Sequence, residues 1–369
     1  MIFPRLWLKQ AFLLYNRLKI HTLDRLIFSV YRPAETEVLL RKEKNPFLEL
    51  NISLLHLTKD IRAGFGRWTD PNWTQDQYIV SIRRPDIFIE GTHGWALVAP
   101  NRLVYESLGF ARAPYVHKPA LTEVFFRKTP DVYLPKVISL RDTGEENYFH
   151  FFNDVAAKIH FLDERGLLDQ EAWLVVGKNL AQKEYFRCLQ CALHHRNFKW
   201  HVQDERWIRT DYLLVCKPFT HTVKFLLKTA ALIAGQPAQA TGCRKIFLTR
   251  PRTTGRFIEN EAEVTLLLSQ HGYEKTDTAC MDMEQQAGLF RQATHVVAVH
   301  GAGIANILFR YPRPLHLVEI FHDNDYLPFH YVMLASQLNF PYQAVRGRPG
   351  HQVGSGGFRV DLNELRSAL

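Results

Sequence analysis

Cysteine is scarce in this chain: five in 369 residues, at positions 188, 191, 216, 243 and 280. An odd number scattered through apolar surroundings does not make a disulfide framework in a chain of this length, so a reducing compartment is expected. A second Cys/His pair at finger-like spacing is missing. Cys188 and Cys191, followed by His194 and His195, supply only half of a zinc-type spacing, and the periodicity of AQKEYFRCLQCALH makes buried helical cysteines the plainer reading. Internal repeats and low-complexity tracts are absent. The basic start contains no uncharged run near membrane-span length and no cleavable apolar core.

The chain is 46% hydrophobic and 22% charged, enough apolar material for two domain cores. Its formal charge of +9 favours an anionic partner: nucleic acid, an acidic membrane surface or a phosphorylated substrate. Up to Arg32 there are six Lys/Arg against one acid, Asp24, so more than half of the excess lies in this arm. A nucleic-acid-binding protein would need a basic stripe interleaved with aromatics beyond the arm, so no nucleic-acid partner is expected. Residues 1–35 read as a basic amphipathic arm. It either lies on an anionic bilayer, with Trp7, Phe12 and Tyr15 as anchors, or packs on its own domain.

Up to residue 130 the strand signals are short: PDIFIE at 85–90, and a hairpin in WALVAPNRLVYES that turns at Pro100 and Asn101. From 136 strands and helices alternate. KVISL, AWLVV and DYLLV read as strands, and residues 145–163, 181–194 and 222–234 as helices, a pattern that implies crossover units and a parallel sheet. GQPAQATGC, residues 235–243, interrupts the alternation and reads as a linker between a first domain, 36–234, and a second domain, 244–345. The second domain restarts with the strand KIFLT. A helix follows, capped by Asn260 with Glu263 closing a capping box, its stripe formed by Val264, Leu267, Leu268 and His271, and Gly272 as its stop. A further helix starts at Asp282 with Gln285 in the reciprocal cap position and Met283, Ala287 and Phe290 facing inward. The strand HVVAV, a helix entered at Gly303 and the strand LHLVEI complete a Rossmann-like unit. Residues 346–369 read as a tail that carries no core and ends in a short helix.

Ligands of open parallel sheets bind outside the carboxyl ends of the strands. Arg250 follows KIFLT, His300, Gly301, Ala302 and Gly303 follow HVVAV, and Glu319 lies near the end of LHLVEI. Two glycines at a strand-to-helix turn expose backbone N–H groups to an anion, and Arg250 and Arg256 supply guanidinium groups suited to a diphosphate. Glu261 sits where a helix start favours an acid in any case. Glu319 reads equally as a ligand for ribose hydroxyls or as an ordinary exposed residue. In the 145–163 helix, Phe149, Phe152, Ala156 and Ile159 form the buried stripe, and Asn147, His150 and Asp154 share a neighbouring face. A proton can be taken by His150 with Asp154 behind it, or by Asp154 directly. Alternatively, the two side chains bond only to each other or to nearby backbone.

The ordered set NYFHFFND (147–154), IFLTRPRTTGRFIENEAEV (246–264), EQQAGLFRQATHVVAVHGAGIANILF (284–309) and LVEI (317–320) resembles glycosyltransferase family 61. The resemblance implies a GT-B-like α/β architecture of two facing Rossmann-like domains with parallel sheets, and inversion at the anomeric carbon. It further implies a nucleotide-sugar co-substrate held mainly by the second domain, with no metal and no other cofactor required. The implied donor-site residues are Arg250, Arg256, Asn260, Glu261, His300, Gly301, Ala302, Gly303, Asn306 and Glu319, and the implied catalytic residues are His150 and Asp154. Phe151 stands where the family often has tryptophan, and Ile304 where leucine is usual. The expectation is an inverting glycosyltransferase acting on a glycan or lipid-linked glycan in bacterial surface polysaccharide synthesis, in the cytoplasm or at the inner membrane face. A catalytically inactive glycan- or nucleotide-binding protein of the same fold is the alternative.

Overall fold

A computed structural model describes residues 29–70, 72–98, 102–112, 131–235, 242–254, 256–351 and 356–369. The chain divides into two compact units, one running up to Lys42 and from Asp76 to Phe219, the other from Glu43 to Gln75 and from Thr220 to Leu369. The expected division, with a linker at 235–243, therefore needs two corrections. The helix Val223–Ala234 belongs to the second unit, and the chain changes unit between Phe219 and Thr220. Its apolar face, Phe225, Leu226, Ala230 and Ile233, is buried, and Arg291 of the second unit donates to the carbonyls of Ala234 and Gly235 at its end. Residues 236–241 lie outside the described residues. Residues 43–75 also join the second unit, where Leu55–His56 adds a parallel strand beside Tyr342–Arg346.

The first unit is built on a ten-stranded sheet. Along its main path run Ser29–Tyr31, Arg102–Val104, Ala96–Val98, Gln75–Glu90, Trp207–Lys217, Lys136–Ser139, Trp173–Gly177 and Lys199–Gln203. The last four strands are mutually parallel, but Gln75–Glu90 pairs antiparallel with both Trp207–Lys217 and Ala96–Val98. This sheet is mixed, contrary to the parallel sheet expected of a plain Rossmann-like domain. The cause lies in its N-terminal part, where short hairpin connections without helices can only reverse strand direction. The expected hairpin pairs Leu97 with Leu103, its turn at 99–101 lying outside the described residues. The expected arm begins outside them as well, residues 1–28, while Ser29–Tyr31 is a strand parallel to Arg102–Val104.

The helix that follows Lys136–Ser139 runs from Tyr148 to Asp163. Its first turn is α, Phe151–Ala156 is π-helical, and Ala157–Asp163 is α again. Asn147 caps it by accepting from the N–H groups of Phe149 and His150, at 3.0 and 3.4 Å. Phe149, Phe152, Ala156 and Ile159 are buried as the periodicity predicts. The wide turn has no signal in FFNDVA; it coincides with Asn153 being turned inward, 4% exposed. Cys188 and Cys191 lie on Glu184–Ala192, half-buried and exposed respectively, which corrects the expectation of two buried cysteines.

The second unit has a six-stranded sheet, parallel throughout, in the order Tyr273–Thr276, Arg244–Leu248, Ala293–Val299, His316–Phe321, Tyr342–Arg346, Leu55–His56. Counting from Arg244–Leu248, the first five strands follow the doubly wound order 2-1-3-4-5, whose switch point falls between the strands Arg244–Leu248 and Ala293–Val299. Val297, Val299, Val318 and Ile320 pack on Val264, Leu267 and Leu268 of the helix Glu261–Gln270. His271 is exposed beyond that stripe, and Gly272 stops the helix at φ +81°. Asp282 and Gln285 form the expected capping box, and Met283, Ala287 and Phe290 are buried.

Three further expectations are corrected here. The helix after Ala293–Val299 is a 3₁₀ helix, Ala302–Arg310. Asn260 does not cap the helix Glu261–Gln270. Its amide donates to the carbonyl of Val360 and accepts from the Val360 N–H, both at 3.0 Å, and so ties the C-terminal segment down. That segment is part of the core: Phe358, Val360 and Leu365 are buried in the same cluster as Val297 and Ile320. Phe358 and Val360, the two core residues in and just after its short strand, are too few for an alternation to show.

Candidate active site

Two constellations are distinguishable, one in each unit. In the first, His150 Nδ1 lies 2.6 Å from Asp154 Oδ2 on the Tyr148–Asp163 helix. The other carboxylate oxygen accepts from Asn153 at 2.9 Å, a positioning contact that sequence spacing did not signal. Burial opposes the charged form of both partners, but their mutual bond prevails. Burial disfavours the imidazolium, yet Asp154, helped by the charges of Asp142 and Glu146, raises the His150 pKa above its ordinary 6.5. Asp154 is pushed down to about 2 against its own burial, by the His150 bond and charge and then by Lys217 and Lys158. With Nδ1 held by a carboxylate, Nε2 is the ring nitrogen that exchanges a proton with a substrate.

In the second unit, groups converge at the switch point. Arg250, two residues past Arg244–Leu248, donates from Nη1 to the His300 carbonyl at 3.0 Å. Burial, and next the charge of Arg256, lower its pKa. Among the described residues neither guanidinium is paired with a carboxylate. His322, just past His316–Phe321, joins them: burial first, then Arg256 and His300, lower its pKa, and its Nδ1 is buried without a partner among the described residues. His322 was not singled out from the sequence; its position one residue past a strand end, as with His300, is the signal that could have found it. Two guanidinium groups gathered without a carboxylate partner favour a bound anion.

The glycines of this turn differ in role. A Cβ on Gly301 would stand 2.8 Å from Arg250 Nη1, so this position is bare to let the guanidinium approach. A Cβ on Gly303 would meet only Thr278 Oγ1, at 3.9 Å. Neither adopts the left-handed backbone region, so spare room rather than a special turn conformation explains Gly301.

Several expected donor-site residues have other tasks. Glu319 is 0% exposed, neither an exposed strand-end residue nor a ribose ligand at the rim. It accepts from His300 Nδ1 at 2.5 Å and from the Tyr342 hydroxyl at 2.6 Å. This fixes the imidazole, which stacks on Phe321 with ring centroids 5.3 Å apart and leaves Nε2 for a ligand. Asn306, 0% exposed, donates to Gln286 at 2.9 Å within the fold. Glu261 pairs with Lys275 at 2.9 Å, as a helix-start acid would. The structure thus brings together Arg250, Arg256, His300 and Gly301–Gly303, supports them with Glu319, and assigns Asn260, Glu261 and Asn306 to the scaffold. Phe151 and Ile304, the two departures from the usual family residues, are both buried.

A doubly wound parallel sheet with cationic groups gathered at its switch point defines a Rossmann-like α/β protein. Residues 148–316, a little under half of the chain, match the family model described as Glycosyltransferase 61, and this part of the chain is similar to that family. The match supports a glycosyltransferase, a class whose partners in general terms are a nucleotide sugar and a glycan acceptor. No curated protein matches the chain. Among the described residues no helix is long and apolar enough to cross a membrane.

Proposed function

We propose that the protein is an inverting glycosyltransferase of GT-B type that moves a sugar from a nucleotide-sugar donor to a glycan or lipid-linked glycan, in bacterial surface polysaccharide synthesis. The observation that carries the reading is the pair Arg250 and Arg256, unpaired with any described carboxylate and next to the Gly301 turn. In this reading the second unit holds the diphosphate and His150 of the first serves the acceptor.

The acceptor hydroxyl gives its proton to His150 Nε2 while its oxygen bonds to the anomeric carbon from the face opposite the nucleotide. Asp154 stabilises the resulting imidazolium. The bond from the anomeric carbon to the diphosphate oxygen breaks, and its electron pair leaves on the diphosphate. There the guanidinium groups and the first N–H groups of Ala302–Arg310 neutralise the developing charge, a role that a metal ion can otherwise fill. Attack from the opposite face inverts the anomeric configuration.

A thermal-shift panel of nucleoside diphosphates and nucleotide sugars tests the reading, because a bound donor stabilises the fold by mass action. One diphosphate series should stand out, and Arg250→Ala or Arg256→Ala should weaken it about tenfold or more, the value of a charge-assisted hydrogen bond. No shift with any nucleotide would overturn it.

A further inference from the structure

The strands Ala293–Val299 and His316–Phe321 end level with each other: Val299 stands opposite Ile320, and the His300 N–H still donates to the Ile320 carbonyl at 2.8 Å. His300 stacks on Phe321, ring centroids 5.3 Å apart, and Gly301 is extended at φ 172°, so the register continues past both strand ends. One step further Gly301 comes level with His322, about 4.8 Å away, the spacing of neighbouring strands. Successive side chains of an extended chain alternate in face, so His322 lies on the face that Gly301 leaves bare and that Arg250 Nη1 approaches.

The His322 ring is half-buried, and unevenly so. Nδ1 is its inner nitrogen, buried with no partner among the described residues, which leaves Nε2 on the open side. A proton on Nδ1 would make a buried donor without an acceptor, so the neutral ring carries its one proton on Nε2. Charge acts in the same direction. Arg250 and Arg256 act on the ring from the loop after Arg244–Leu248, His300 from the neighbouring turn and Asp323 from the next position. Burial first, then Arg256 and His300, hold its pKa below the ordinary 6.5, and Asp323 opposes them only in part. The open side therefore presents an uncharged N–H close to two guanidinium groups that have no carboxylate partner among the described residues. Phosphate oxygens accept from neutral donors as well as from cations.

We propose that His322 is a further donor-site contact, a neutral imidazole that gives its Nε2–H to a non-bridging oxygen of the donor diphosphate. The proposal deepens the nucleotide-sugar reading of that site and rests on it. Its consequence is that His322 causes no fall in donor affinity as pH rises through neutrality. UDP-glucose and GDP-mannose serve as probes, because a diphosphate esterified at both ends lacks the titration near about pH 6 of a terminal phosphate. Histidine nitrogen NMR on the labelled full chain reads which ring nitrogen carries the proton, the His322 signal being the one lost in His322→Gln. The Nε2–H tautomer is expected at about pH 7.5, and it should persist when the tighter-binding probe saturates the site. In isothermal titration His322→Ala should weaken that probe about tenfold or more, in line with one hydrogen bond to a charged group. His322→Gln keeps an N–H donor and should stay within about threefold of the parent, with the same pH profile of affinity from about pH 6.5 to 8.5. An imidazolium or an Nδ1–H tautomer in the complex, or an affinity that falls with pH in the parent but not in His322→Gln, overturns the proposal. Parental affinity in His322→Ala alongside a loss in Arg250→Ala sinks this contact alone. If neither probe binds, the donor reading and the contact fall together.

Discussion

Glu319 offers the sharpest test of how the second unit is assembled. If its carboxylate is an internal anchor, removing it strands two donors, His300 Nδ1–H and the Tyr342 hydroxyl, in a place with no exposure to solvent. Leaving a buried donor unmatched costs about 1–3 kcal/mol, so Glu319→Ala should lose about 3–5 kcal/mol once the cavity is included. For a unit of this size that is a fall in Tm of about 6–20 °C. Glu319→Gln should also be destabilising, because its amide NH₂ turns a donor toward a donor. Tyr342→Phe removes one bond and leaves the one to His300, so it should cost about 2 kcal/mol, roughly 4–8 °C, without changing diphosphate affinity. Differential scanning calorimetry gives the stabilities, and isothermal titration well below each Tm gives nucleotide affinity. If Glu319→Ala keeps the parental Tm but loses nucleotide binding, the carboxylate faces the ligand and the anchoring argument is wrong.

The His150–Asp154 pair has a signed pH dependence. The base form of His150 appears only above its raised pKa, so kcat/KM should climb with unit slope through a midpoint above 6.5, and Asp154→Asn should move that midpoint down; a pH-independent rate would refute the assignment. For stability, His150 contributes fully below 6.5 and loses its contribution as pH rises through its folded pKa, whereas the contribution of Asp154 is complete above 3.8 and fades as pH falls toward about 2. A Tm–pH series of the parent against His150→Ala reads both limbs, and His150→Ala should cost about 10²–10⁴ in rate with donor binding retained. Gly301→Ala should displace Arg250 and weaken diphosphate binding more than it lowers Tm, whereas Gly303→Ala should do neither, as paired titrations would show. Phe358→Ala should destabilise by about 3–5 kcal/mol, visible as a lower urea midpoint, because the C-terminal segment is core.

Much of the second unit was legible because its signals are local. The apolar runs 246–248 and 296–299, the box Asp282–Gln285 and the stop at Gly272 each act within a few residues. The His150–Asp154 pair was readable for the same reason, helical spacing being enough to bring the two together. What was missed depends on distant partners. Nothing around Asn260 announces that its amide will bind Val360, a hundred residues on, and nothing in LVEI says that the glutamate faces inward until Tyr342 and His300 are in place. Leu55–His56 is too short to show an alternation and is a strand only because Tyr342–Arg346 offers it an edge. His322 directly follows the strand His316–Phe321, and its place in the cluster depends on Arg256 and His300, which are distant in sequence.

The early segment Glu43–Gln75 has a bearing on how the molecule is made. Asn51 donates to Ser336 across 285 positions, and Leu55 waits for Tyr342, so part of the second unit leaves the ribosome long before the sheet it completes. The first unit is by then fully synthesised and free to collapse around its own strands. Contacts this distant in sequence close slowly, because a long loop must be ordered before they are rewarded. The pairing of residues 55–56 is therefore a late event in biosynthesis. Before it, the strand Tyr342–Arg346 presents an open edge, and a second nascent chain carrying the same early segment can compete for it.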